Sequence, residues 1–417
     1  MTKQPSARSR ALPRAVLILL SFLLPALSSQ AGAQLLPRSS GGSPSLDGRT
    51  RAAIVDSVTA ALNRTYVFED VAVEMERHVR EKLESGDYGD LGTIADLARA
   101  LTADLRSVSN DRHLAVLWSD PASMAEAMKE QEDPDAARAR IIEELRRDNF
   151  MFRKVEILAG NVGYLRLDGF PSATLSGPTA TAAMNFLGNV DALIVDLRQN
   201  GGGHPSLIQY MTAYLLDEPT HLNSFENRRD NTLRQFWTAP YVPGPRLHDV
   251  PVFVLTSGYT FSGAEEFTYN LKSLGRATVV GETTGGGAHP VDRVVFPDLE
   301  ISMSVPYARA LNPITGTNWE TTGVDPDIEC AAPAALDLAH LEALRAIREK
   351  ETDPDRVFAL DWEIGGLAAK FHPIELDPAT LERYAGTYGD RTLRIEDGAL
   401  VYQRGDRPPM RAIPMTE

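Results

Sequence analysis

Ser262 lies in "TFSGAEEF" (residues 260–267), directly after an apolar run and directly before a helical pattern. A serine hydroxyl there has two chemical uses. It can attack a carbonyl if a base takes its proton. It can also cap the helix, because Ser262 followed by Glu265 fits the S-x-x-E capping box. The surroundings bear on the choice. "DLRQNGGGHP" sets Gly201, Gly202 and Gly203 right after the apolar run 191–198, at the strand end where open α/β sheets bind ligands. Glycines there let backbone N–H groups approach an anion or a developing oxyanion. "GETTGGGAHP" (281–290) repeats the device with Gly286. Neither spacing is that of a P-loop or a dinucleotide fingerprint, which counts against phosphate binding. His204 and His289 each follow a glycine triplet and are candidate substrate contacts. His113, in "SNDRHLAVLW", is either a base or an ordinary core or surface histidine. His78 reads as solvated, and the remaining four histidines sit in polar, turn-like contexts without obvious chemistry.

The elements that must position these residues follow from the pattern along the chain. At 417 residues, 43% hydrophobic and 24% charged, the composition is globular and implies two or three domains. Residues 1–33 combine a basic start, the short apolar stretch "AVLILLSFLLPAL" and "AGA", which together predict a signal peptide and an exported protein. The formal charge is −15, and the leader's four cations and no anions leave about −19 on the mature chain. That balance opposes nucleic acid and anionic membrane partners. Cys330 is the single cysteine, so no intrachain disulfide or cysteine metal cluster can form. Apolar residues three and four apart predict a helical domain of three or four helices over 46–120, followed by a charged connector over 121–150. From 151 to 335, Val/Ile/Leu runs such as "DALIVDLR" and "VPVFVLTS" alternate with helical segments, which predicts a mostly parallel sheet covered by helices. "RVVFPDLEISMSV" reads as a hairpin turning at Pro297 and Asp298. After a linker around "EKETDPDR", residues 377–417 form a short β segment that needs something to dock on.

Six blocks in order carry a resemblance: "DRHL", "GNVGYLRL", "DLRQNGGG", "TSGYTFSGAEEF", "GRATVVGETTGGG" and "TTGVDPDIE". The chain resembles the C-terminal processing peptidase family of serine peptidases, which includes the tricorn core and the repeats of interphotoreceptor retinoid-binding protein. The resemblance runs from about Leu46 to Cys330 and implies a crotonase-like α/β core. One branch of that family activates its serine with a lysine; here Gly287 stands in that place. The tricorn-like branch uses a histidine and a glutamate instead, and its blocks fall on His113 and Glu320. The serine that precedes the histidine in that branch is Arg112 here. No stretch between 120 and 160 is long enough for the PDZ module found in other members.

The resemblance implies a peptidase in which Ser262 is the nucleophile, His113 the base and Glu320 the orienting acid. Gly202 and Gly263 then supply the oxyanion hole, and Gly201, Gly203, His204, Gly286 and His289 line the substrate site. No metal or organic cofactor is implied, and the partner is a peptide or protein. An ordinary histidine base would make activity fall near pH 6 to 7. The alternative is a non-catalytic carrier of apolar ligands, as in the retinoid-binding members.

Overall fold

The computed structural model describes residues 45–120, 122–125 and 133–415, together with a strand at Val16–Ile18. The rest of the expected leader lies outside the described residues. Three helices, Gly48–Thr65, Glu69–Ser85 and Ile94–Ser109, form the N-terminal helical unit. Their apolar stripes (Ile54, Val58, Leu62, Met75, Leu97, Leu101) close over a small antiparallel sheet of Ala115–Trp118, Ile301–Pro306 and Val291–Phe296. The expected hairpin turns through a 3-10 segment at Pro297–Leu299, with Glu300 left-handed behind it. Val16–Ile18 pairs along the outer edge of Val291–Phe296. The connector region includes the helix Pro134–Arg147, capped by the Asp133 carboxylate.

The main sheet has six strands in the order Ile328–Glu329, Thr278–Gly281, Val252–Thr256, Ala192–Asp196, Val162–Leu167, Phe152–Leu158. All neighbours are parallel except the last pair. Ala192–Asp196 and Val252–Thr256 are buried along their whole length, as strands covered on both faces must be. One face is covered by the helices Ala173–Phe186, Pro205–Ala213 and Gly263–Ser273, through Leu207, Ile208, Phe267 and Leu271. This α/β core with an N-terminal helical region is the architecture that the resemblance implies.

The second face of the sheet corrects the sequence-based boundary at 335. It is covered by Ala335–Lys350 and Pro354–Phe371, which bury Ala339, Leu344, Leu360 and Leu367 against Tyr164, Ile194 and Phe253. The stretch read as a linker is the tight turn between them, with Asp353 accepting the N–H groups of Asp355 and Arg356. The C-terminal segment is a four-stranded antiparallel sheet from Gly386 to Arg411 behind the helix Pro378–Tyr384. It docks through its tail: Met415 lies beside Gly365, 3.4 Å from where a Cβ would stand.

A truncation pair separates the two parts. Ending the chain at Asp377 is expected to keep specific activity within a few-fold. Ending it at Lys350 strips Leu360 and Leu367 from the sheet, each worth about 2 kcal/mol or more, and should leave the protein unfolded or insoluble. Thermal melts and peptidase assays on both proteins check this; equal behaviour would contradict the layer assignment.

Candidate active site

Ser262 ends the turn that follows Val252–Thr256 and begins the helix Gly263–Ser273. Its backbone is at φ 55°, ψ −120°, an unfavourable conformation for a residue with a side chain. The surroundings enforce it. Thr260 Oγ1 donates to Leu197 O (2.9 Å), Ser257 Oγ to Arg198 O (2.7 Å), and Phe261 N–H to Asn200 O (3.1 Å). These bonds tie the serine turn to the loop that carries the first glycine triplet.

Glu265 does more than cap. Its buried carboxylate accepts Ser262 N–H (2.7 Å), Thr284 Oγ1–H (2.5 Å), Gly286 N–H (2.6 Å) and Gly287 N–H (2.9 Å). It thus joins the serine to the second glycine loop. Burial raises its pKa, and these four donors oppose the rise. Gly286 is consumed by this structure: it is buried at φ 81°, and its carbonyl accepts Thr321 N–H. It is not placed to meet a substrate.

The glycine N–H groups left free differ by one residue from the expected pair. Gly202 N–H, expected to face an oxyanion, donates instead to Asn200 Oδ1 (2.8 Å). Gly202 O and His204 N–H are both bonded to Phe170. Among the described residues, the N–H groups of Gly203 and Gly263 make no hydrogen bond. A Cβ on Gly263 would lie 3.0 Å from Gly203 N, and one on Gly202 would lie 2.8 Å from Ser262 Cβ. Two free donors therefore flank the serine, Gly203 and Gly263. Gly201 is half-buried in the same loop. His204 caps the helix Pro205–Ala213, its Nδ1 accepting Ser206 N–H (3.1 Å).

His113 reaches this region from the N-terminal unit. Asn110 takes a left-handed turn after Ile94–Ser109, and Arg106 clamps the next residues by donating to Arg112 O and Leu114 O (both 2.7 Å). His113 N–H donates to Asp111 Oδ1 (3.0 Å), and its ring lies on Phe261, centroids 4.6 Å apart. Its Nδ1 is buried without a partner. Among the described residues, no hydrogen bond joins His113 to Ser262; Phe261, the serine's neighbour, makes the contact. Arg112, at the position of a serine in the tricorn-like branch, donates to Gly285 O (2.5 Å). Gly287 is needed here: a Cβ on it would meet Phe261 Cζ at 2.2 Å and His113 Cε1 at 2.7 Å. A lysine cannot stand in that place without moving both rings.

Glu320 is linked to His113 indirectly. Its Oε2 accepts Ala288 N–H (2.6 Å) and His289 N–H (3.2 Å), while its Oε1 is buried and unpartnered. His289, expected as a substrate contact, is buried behind the site. Its Nδ1 sits 3.1 Å from Asp111 Oδ2 and 3.5 Å from Glu320 Oε2, and its ring packs edge-on against Phe68. Tyr66 O–H also donates to Asp111 Oδ2 (3.3 Å). Burial works to raise Asp111, but the His289 hydrogen bond and charge outweigh it, and the carboxyl stays below its usual range. An ionised Asp111 only accepts, so His289 Nδ1 carries the hydrogen. Burial, with Asp111 adding, pushes Glu320 up to about 7. The donor atoms of Asp111, His289 and Glu320 lie within 4.8 Å of one another, a spacing that a metal ion could use. Hydrogen bonds join the set as Glu320–His289–Asp111–His113, the links to Glu320 and His113 being made by backbone N–H groups, while Glu320 Oε1 is left without a partner.

Sequence reasoning missed Asp111 and the wider role of Glu265. Asp111 stands two residues before His113, a spacing that could have drawn notice.

Comparison with known proteins follows the same outline. Residues 161–330 match peptidase family S41, and residues 48–158 match the N-terminal domain of that family in eukaryotic IRBP, together about two thirds of the chain. The tricorn protease of Thermoplasma volcanium is 29% identical over 147 residues, 35% of this chain and 13% of the relative. The chain thus spans about an eighth of that relative's length. A solved photosystem II D1 C-terminal processing protease is similar at 17% identity and TM-score 0.45, over 68% of this chain and 94% of that one. A lipoprotein from Streptococcus agalactiae is similar at 17% identity and TM-score 0.44, over 74% and 98%. With both the helical unit and the α/β core matched, the chain belongs to peptidase family S41.

Proposed function

We propose that the protein is a serine peptidase that works through an acyl-enzyme at Ser262. The observation that carries this reading is the pair of free N–H groups, Gly203 and Gly263, flanking a serine held in a strained turn. Ser262 Oγ attacks the peptide carbonyl carbon and its proton passes to His113. Nε2 is the accepting atom, because Nδ1 is buried. The Ser262–His113 bond closes with substrate in place, as catalytic hydrogen bonds often do. The tetrahedral oxyanion sits between the two N–H donors. Its collapse breaks the C–N bond, and His113 returns the proton to the leaving amine. Water, deprotonated by His113, then releases the acid product and restores Ser262. Asp111 fixes the backbone of the base, and Glu320 acts on it through His289. A fluorophosphonate probe tests the reading against the apolar-carrier alternative: a carrier has no activated serine to label.

The base sets the pH dependence. Burial depresses His113 to about 4, with Asp111 opposing the shift. The imidazole must be neutral to accept a proton, and it is neutral above that value. The acid limb of kcat/KM is therefore expected near pH 4, not at the 6 to 7 of an ordinary histidine. A limb at 6 to 7 that survives Glu320→Gln would contradict this placement of His113.

We also propose export with removal of residues 1–33, on the strength of the basic start, the apolar stretch and "AGA". Removal takes Val16–Ile18 away from its sheet edge. N-terminal sequencing of secreted protein should begin at or near Gln34. Intact Met1 on the active protein would refute it.

A further inference from the structure

A three-stranded sheet outside the core runs in the order Ala308–Leu311, His221–Asn227, Thr232–Trp237. Its last strand is an edge, and no strand among the described residues pairs with its outer side. Natural edges are usually blunted by proline, charged side chains, a bulge or a covering segment; here the pairing with His221–Asn227 is irregular between His221 and Asn223, and Arg234 lies mid-strand. This one presents Leu233 at 59% and Trp237 at 45% exposure on alternate positions. Trp237 is held in place by stacking on His221, centroids 5.0 Å apart and planes 14° apart.

The hairpin spans the two flanks of the candidate site. At its turn, Arg228 donates to Tyr66 O (2.8 Å) and Asn63 O (3.3 Å), and Arg229 pairs with Asp292 (2.7 Å). Tyr66 is the residue that bonds Asp111, and Asp292 lies three residues beyond His289. At its other end, Gln209 Nε2 donates to Trp237 O (2.7 Å), and Gln209 lies on the helix Pro205–Ala213, whose cap His204 directly follows Gly203. Burial, and then the charge of Arg234 on this strand, depress His204.

We propose that the outer edge of Thr232–Trp237 takes the substrate as an added β-strand and leads its carbonyl to Ser262. This deepens the peptidase reading and rests on it. Main-chain pairing recognises any extended chain, and alternate side chains of the substrate would meet Leu233 and Trp237. The substrate class is therefore an extended peptide or unfolded segment with several residues on one side of the cleaved bond, not a di- or tripeptide.

The test uses diphenyl phosphonates that label the active serine, built on one residue or on a five-residue peptide of mixed composition. Extension is expected to speed labelling of Ser262 roughly tenfold or more, as two or three main-chain hydrogen bonds would. N-methylation of the probe, scanned one amide at a time, should remove that gain at alternate amides only, because paired strands use every second N–H. A photo-leucine in the five-residue probe should cross-link to the peptide containing residues 232–237. Labelling without any gain from extension, a gain indifferent to N-methylation, or cross-links mapping elsewhere would each overturn the edge while leaving the peptidase reading intact. No labelling by these probes or by a simple fluorophosphonate would overturn the peptidase reading, and this inference with it.

Discussion

Ser262→Ala and Ser262→Asp are both expected to abolish turnover and fluorophosphonate labelling while the protein stays folded. The two substitutions separate the serine's two roles. As a cap alone, Ser262 is worth about 1 kcal/mol of stability, and Asp, an equally good cap, would restore function. As a nucleophile it has no substitute, and the loss is on the order of 10^4-fold or more. The melting temperature should fall only modestly in Ser262→Ala, because Glu265 keeps its bonds to Thr284, Gly286 and Gly287. An active Ser262→Asp protein would return this residue to the helix cap.

The second large effect belongs to His113. His113→Ala removes the proposed base and the ring that packs on Phe261, and should approach the loss expected for Ser262→Ala. The double variant should be scarcely worse than either single one, because residues that act as one unit are not additive. Gly287 leaves no lysine to take over, and its surroundings would not admit one. Full activity in His113→Ala would remove the tricorn-like arrangement from consideration.

The parallel sheet was legible because its central strands are apolar on both faces, as "ALIVD" and "VFVLT" plainly are. The helices after residue 335 were not. Their apolar spacing says that they bury a stripe, not which sheet face receives it, and "EKETDPDR" looks the same in a linker as in a turn between packed helices. Among the site residues, the glycine loops and Ser262 stood out by type and position. The choice between Gly202 and Gly203 did not, since three glycines in a row carry no phase; the side chain of Asn200 sets it by taking the Gly202 N–H. Glu265 read as a local cap because the S-x-x-E pattern is local, whereas three of its four bonds reach residues about twenty positions away. His289 read as a substrate contact because its burial depends on Phe68, Asp111 and Glu320, all distant in sequence.

The central claim is that Ser262 is an activated nucleophile, and mass spectrometry of the protein after fluorophosphonate treatment tests it most directly. The account predicts one adduct, on the peptide that carries Ser262, absent in Ser262→Ala and strongly reduced in His113→Ala. An unmodified Ser262 peptide, or an adduct mapping to another residue and unaffected by either substitution, would contradict it.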